Sequence, residues 1–161
     1  MEHLAVSSFG EGALATLTAD ALAHARERVG VRRTALFWIE EASGRLSCVA
    51  TDGVGGTAGW LGQTLATGVG MAGRAVKEGR PVWTPDLLAD PRVPIAPWLR
   101  ERLVQEGLRA VAAAPIRIDG EIHGALGFLD GPGRLFDEEG LRLIGSLADA
   151  VATRLTHAAP E

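Results

Sequence analysis

The sequence predicts an α+β fold built on a central antiparallel sheet, and three features support this prediction. Asp119-Gly120 separates the apolar stretches 109–118 and 121–130, which is the strongest short hairpin signal in the chain. A second hairpin is expected around the turn 41–44, and each end of the chain has the pattern of an amphipathic helix. Hairpins of this kind argue against a doubly wound parallel sheet, which needs long crossovers between its strands.

Length and composition predict one globular domain spanning residues 1–161. The chain has 161 residues, 47% hydrophobic and 22% charged, which are ordinary globular values. Its net charge of −4 gives no basic footprint for nucleic acid. No apolar run is long enough to cross a membrane, and the first residues lack a signal-peptide pattern, so we expect a cytoplasmic protein with no membrane partner.

The two terminal segments are predicted to be helices. Residues 11–29 have apolar side chains at helical spacing, and Gly30 follows as a stop signal. In the second helix, 137–156, Asp137 is the expected cap, and Phe136 and Leu141 occupy the positions of a hydrophobic staple. Its apolar seam could pack on the sheet, on the first helix or on a partner: Leu141, Ile144, Ala148, Val151 and Leu155.

The first hairpin is predicted from residues 34–40 and 45–51. The continuous apolar run within 34–40 indicates a strand that is covered on both faces. Cys48, the single cysteine, lies in the second strand and is interpreted as a small buried hydrophobe, with no disulfide and no metal site. Residues 52–62 are rich in glycine and contain Trp60, and we expect a long connection that is mobile or packs over the edge of the domain.

The stretch 68–92 allows two incompatible interpretations. Gly68, Gly70 and Gly73 form a Gly-x-Gly-x-x-Gly pattern, and Asp86 follows Gly68 by 18 positions, which is close to the spacing of a dinucleotide-binding fingerprint. Alternatively, the glycines only permit tight turns and close packing. The second interpretation is favoured, because the hairpin downstream does not fit the parallel sheet that the fingerprint requires.

The middle of the chain is predicted to contain short elements. A possible short strand at 63–67 precedes a two-turn helix at 71–78, and another short strand follows at 81–84. After several prolines, a helix is expected at 97–106, with Leu99, Leu103 and Val104 facing inward and Gly107 as its end.

Four segments, in this order, resemble the GAF domain family: residues 35–50, 68–92, 111–130 and 135–155. The resemblance covers nearly the whole chain. It implies a GAF-like, PAS-related antiparallel sheet of about six strands, with the terminal helices on one face. It also implies a ligand pocket on the other face, roofed by the middle segment, within the sheet and pocket region 34–130.

The resemblance also implies, position by position, which residues line the pocket. They are Phe37, Met71, Val82, Trp83, Asp86, Ile95, Trp98, Leu99, Ala112 and Ala114. The small residues at 112–114 would leave room above the sheet. The alternative is that these side chains simply fill a core, because a sequence does not report volume.

Several chemistries of GAF-like proteins do not fit these residues. A bilin photoreceptor needs a cysteine in the middle segment, and a methionine sulfoxide reductase of this fold needs several cysteines, whereas Cys48 is the only one here. Cyclic-nucleotide-binding members carry an asparagine in their signature, and this chain has none. The histidines, including His123, are interpreted as solvated or hydrogen-bonded rather than as haem ligands. No particular cofactor is indicated.

The sequence therefore predicts a sensory or regulatory module without catalytic activity, which binds an unidentified small molecule non-covalently and signals through its terminal helices. The alternative is an interaction or dimerisation module whose pocket is filled. In either case we expect a homodimer formed through the segments 14–29 and 141–155.

Overall fold

The computed structural model describes residues 10–158. Within this range it contains four helices, α1 (Glu11–Val29), α2 (Gly70–Glu78), α3 (Pro97–Glu106) and α4 (Glu138–Ala158), and a 3-10 turn at Leu87–Ala89. It contains six strands, β1 (Arg33–Ile39), β2 (Leu46–Gly53), β3 (Thr64–Leu65), β4 (Val82–Thr84), β5 (Ala110–Ile118) and β6 (Glu121–Asp130). None of the helices within this range is long and apolar enough to cross a membrane.

The six strands form one sheet in the order β3-β2-β1-β6-β5-β4, and every neighbouring pair is antiparallel. Both predicted hairpins are present, as β1–β2 and β5–β6. Asp119 and Gly120 have φ values of 53° and 81°, because a two-residue turn that matches strand twist needs positive φ at both positions. The predicted α+β fold with about six antiparallel strands is confirmed.

Helices α1 and α4 pack together on one face of the sheet, which we call the α1/α4 face. Asp137 caps α4 as predicted, since its Oδ1 accepts a hydrogen bond of 2.7 Å from the backbone N–H of Gly140. The seam of α4 is buried in this core, where Ile144, Ala148 and Leu155 are each 0% exposed. The seam therefore stabilises the domain itself and is not left open to a partner.

The opposite face, called the α2/α3 face, carries helices α2 and α3 and the segments 54–62 and 86–96, which together form the roof. Leu99 and Leu103 point into this core from α3, as predicted. The inward position predicted for Val104 is wrong, because its side chain is 56% exposed. One turn of α3 can direct only part of its circumference at the sheet, and Leu103 already occupies the inward position.

Strands β1 and β6 approach each other closely at Gly124. A Cβ atom at this position would lie 2.2 Å from the carbonyl oxygen of Phe37. Only glycine fits here without moving one of the two central strands.

Candidate functional site

The α2/α3 face encloses a small cavity between the centre of the sheet and the roof. Its volume is about 20 Å³, which is room for a single water-sized sphere. The ten residues around it are all apolar: Phe37, Trp60, Leu65, Met71, Ala72, Leu87, Leu99, Val111, Gly127 and Leu129. A cavity this small and this apolar stays dry. In this conformation the roof is therefore closed over the sheet.

The floor of the cavity is formed by Phe37, Val111, Gly127 and Leu129 of the sheet, and Gly127 has a small residue on each side. Ala35, Gly127 and Ala113 lie directly opposite one another on β1, β6 and β5. Because these residues fill little volume, large side chains from the roof, including Trp60 and Met71, occupy the space above the sheet. A ligand larger than a water molecule can therefore enter this space only when the roof moves.

Six of the ten residues predicted from the sequence lie in the core of the α2/α3 face. They are Phe37, Met71, Val82, Ile95, Trp98 and Leu99. Phe37, Met71 and Leu99 contact the cavity itself. Their role in ligand binding stays a prediction.

The placement of Trp83, Ala112 and Ala114 in the pocket is wrong. All three pack in the core of the α1/α4 face, where the Trp83 ring lies 6.0 Å from the ring of Phe136. The small residue that does face the cavity side is Ala113. Because side chains alternate along a strand, an assignment that is one residue out of register places each side chain on the opposite face.

Asp86 also has a structural role in the roof. Its Oδ1 accepts a hydrogen bond of 3.1 Å from the N–H of Leu88 and so caps the 3-10 turn. Its carboxylate is therefore engaged with the backbone of its own segment.

The glycine pattern at residues 68–73 is structural, as the sequence favoured. The N–H of Gly68 donates to the carbonyl of Gly73 at 2.9 Å, and the N–H of Gly70 donates to the carbonyl of Pro94 at 2.8 Å. A Cβ at Gly73 would lie 2.8 Å from the carbonyl oxygen of Ala66. These N–H groups are bonded within the protein instead of facing an open phosphate site.

Trp60 is a cavity residue that the sequence interpretation did not identify. It is 0% exposed, although all the other residues from Val54 to Gly62 are exposed. Its indole Nε1 donates a hydrogen bond of 2.6 Å to Oε2 of Glu106 at the end of α3. The available signal was a large aromatic residue within a glycine-rich segment, since such a residue has a strong tendency to be buried.

A buried arginine borders the cavity residues and was also missed. Arg33 is two positions before Ala35 on β1, so both side chains lie on the α2/α3 face, and that of Arg33 is 1% exposed. Its Nε donates to Oε1 of Glu106 at 2.9 Å, and its guanidinium carbon lies 4.7 Å from the centre of the Trp60 ring. The guanidinium also donates to Oγ1 of Thr51 and to two carbonyls of the segment 54–56. No sequence motif marks this position.

Two further contacts hold the roof in place. The indole Nε1 of Trp98 donates to the carbonyl of Thr64 at 2.8 Å. The Arg92 guanidinium, hydrogen-bonded to Asp90, holds the pKa of that carboxyl well below its usual range. The negative charge of Asp90 therefore persists at acidic pH and stabilises this turn.

Cys48 and His123 are both enclosed by the fold. Cys48 is 1% exposed on the α2/α3 face. His123 is 8% exposed and stacks on Trp38 at a ring distance of 5.7 Å, and Trp38 packs on the α1/α4 face. Of the two environments expected for His123, solvated or hydrogen-bonded, its burial excludes the solvated one.

Several solved structures have folds similar to that of this chain. The GAF domain from the phosphoenolpyruvate-protein phosphotransferase of Coxiella burnetii is 22% identical with a TM-score of 0.72, covering 98% of this chain and 89% of that one. The second GAF domain of DevS from Mycobacterium smegmatis is 21% identical with a TM-score of 0.69, covering 90% and 94%.

A type II free methionine-R-sulfoxide reductase from Thermoplasma acidophilum is also similar, at 18% identity and a TM-score of 0.69, covering 92% and 96%. No curated protein matches the chain in sequence. The sequence model of the GAF domain matches residues 13–155. The chain therefore belongs to the GAF domain family, whose members are generally sensory and regulatory modules of signalling proteins.

Proposed function

We propose that this GAF domain binds a small molecule non-covalently on its α2/α3 face and passes the change to an output through α1 and α4. The observation that carries this proposal is the apolar cavity above the part of the sheet that contains Gly127. Ligand sites are usually apolar concavities with a few polar groups, and here Arg33 and Glu106 lie beside the cavity residue Trp60.

The central strands provide a route from the cavity to the terminal helices. On β5, Ala113 faces the α2/α3 side, while its neighbours Ala112 and Ala114 belong to the core that contains α4. A shift of this strand on ligand binding would change the packing beneath α4, because closely packed cores transmit small displacements. We propose that this change in α4 is the output signal.

We propose further that the domain has no catalytic activity, despite its structural similarity to a methionine sulfoxide reductase. Cys48 is the single cysteine of the sequence and is buried. Reduction of a sulfoxide through a disulfide requires a second thiol. A cytoplasmic location stays a prediction from the sequence.

A second candidate function is an interaction or dimerisation module with a filled core. The observation that favours it is the cavity volume of about 20 Å³, which holds no ligand larger than a water molecule unless the roof moves. A homodimer would have to use the outward faces of α1 and α4, because the apolar seam of α4 is buried in its own domain. Such an interface would include exposed small residues such as Ala19 and Ala150.

A ligand screen with a matched variant tests the proposed function. The wild type and Gly127→Leu, whose new side chain would occupy the space that a ligand needs when the roof moves, are both screened by thermal shift against a broad set of metabolites. We expect at least one compound to raise the melting temperature of the wild type and not that of the folded variant. If no compound binds the wild type, or if binding persists in the variant, the interaction module becomes the better account.

A further inference from the structure

The indole of Trp60 is held as a bound molecule would be held. The Arg33 guanidinium lies over its face at 4.7 Å, and the Trp98 ring meets it edge-on at 5.8 Å and 82°. The indole N–H donates to the Glu106 carboxylate at 2.6 Å. These contacts recognise a flat ring with an N–H donor, whether or not that ring is attached to the chain.

We propose that this position is a binding site for a planar, electron-rich heteroaromatic molecule that carries an N–H donor, and that such a molecule replaces the Trp60 indole between Arg33 and Glu106. The proposal rests on the proposed function, since it names the class of ligand for the same pocket. Cation–π attraction selects an electron-rich ring, and the carboxylate selects a ring that can donate a hydrogen bond.

The polar groups of this site do not depend on Trp60 for their positions. Arg33 is also bonded to Oγ1 of Thr51 at 2.8 Å and to Oε1 of Glu106 at 2.9 Å. Both charged groups therefore keep partners when the indole leaves. A charge pair in which Arg33 is buried and Glu106 is partly buried, and which has partners of its own, is a preorganised recognition element.

The segment that carries Trp60 has a glycine on each side of this residue, and little of the segment besides Trp60 is buried. Gly59 and Gly62 flank the residue with φ values of 81° and 83°, a conformation that glycine adopts without strain. Between Val54 and Gly62 only Trp60 is buried, so its departure breaks few other packing contacts. The space that it vacates joins the existing cavity, because Trp60 is part of the cavity wall.

Complementation of Trp60→Ala with two isomeric probes tests the proposal. Isothermal titration calorimetry measures the binding of 3-methylindole, which has the N–H donor, and of 1-methylindole, which has the same volume and lacks it. We expect 3-methylindole to bind at least about tenfold more tightly, because a hydrogen bond to a charged group is lost with the isomer. In Trp60→Ala combined with Glu106→Gln, this preference should shrink by a similar factor. Equal binding of both isomers, or no binding to folded Trp60→Ala, would overturn the proposal.

A second measurement on the wild type covers the case in which Trp60→Ala does not fold. The protein is labelled with 5-fluorotryptophan, and the Trp60 resonance is assigned by its loss in Trp60→Phe. We expect 3-methylindole to shift this resonance towards the position of solvent-exposed fluoroindole, and 1-methylindole to do so only at concentrations about tenfold higher. An unchanged Trp60 resonance at saturating probe would refute the replacement.

The two proposals fail in different ways. If the proposed function alone is wrong, the probes bind but no metabolite does. If this inference alone is wrong, a metabolite binds while Trp60 stays in place.

Discussion

Glu106→Gln should destabilise the domain far more than an ordinary substitution at the end of a helix. The two carboxylate oxygens of Glu106 accept from Arg33 at 2.9 Å and from Trp60 at 2.6 Å. Glutamine keeps one acceptor and turns an amide N–H towards the other donor, while Arg33, 1% exposed, loses its counter-charge. A hydrogen bond to a charged group contributes about 1.5–3 kcal/mol. Since the Glu106 side chain is 22% exposed, water offsets part of the loss, and we expect a loss of about 2–3 kcal/mol in the free energy of unfolding.

Urea denaturation followed by circular dichroism measures this loss, which corresponds to a fall of about 4–12 °C in melting temperature. Glu101→Gln is the matched control on the same helix, because it removes the same charge from an exposed ion pair. The Glu101 side chain is 64% exposed, and its Oε1 lies 3.5 Å from a guanidinium nitrogen of Arg102. A surface pair of this kind is worth less than about 1 kcal/mol. If Glu106→Gln costs no more than Glu101→Gln, then Arg33, Glu106 and Trp60 do not hold the roof as described.

Three further predictions concern the sheet, the roof and α4. Gly124→Ala should cost about 3 kcal/mol or more of unfolding free energy in chemical denaturation, because its Cβ would lie 2.2 Å from a carbonyl oxygen of β1. Gly127→Ala is the control: its Cβ would lie 3.6 Å from the nearest atom, the carbonyl oxygen of Ala35, and it should change stability by less than about 1 kcal/mol. Asp90→Asn should lower the melting temperature at neutral pH; because the folded-state pKa of Asp90 is depressed, the gap to the wild type should close as the pH falls below the ordinary value of 3.8. Leu155→Ala should cost about 2–5 kcal/mol at every protein concentration, because Leu155 is 0% exposed within its own domain, and a concentration-dependent loss would instead indicate a dimer seam.

The order and type of the elements could be predicted from sequence because the local signals agree with one another. Asp119-Gly120 specifies its turn, and the glycines after α1, α2 and α3 adopt positive φ where the sequence predicts helix ends. The faces of β5 could not be predicted in the same way. Residues 110–116 are apolar throughout, so no polar residue marks which side chains point to which face.

The charged part of the site could not be predicted because its members are distant in sequence. Arg33 and Glu106 are separated by 73 positions, and Trp60 lies 46 positions before Glu106. Only the folded sheet and α3 bring them together. Arginine and glutamate are both common residues, and neither Arg33 nor Glu106 belongs to a recognisable sequence motif, so each alone is typical of a solvated surface charge.

Native mass spectrometry of the purified protein, compared with its denatured mass, tests the central claim of a non-covalent ligand most directly. We expect a small-molecule adduct that survives in native conditions, disappears on denaturation, and is absent from the folded pocket-filled variant Gly127→Leu. An adduct of the same mass and occupancy on that variant, or a bare polypeptide mass for the wild type even after incubation with the metabolite set, would contradict ligand binding at the cavity.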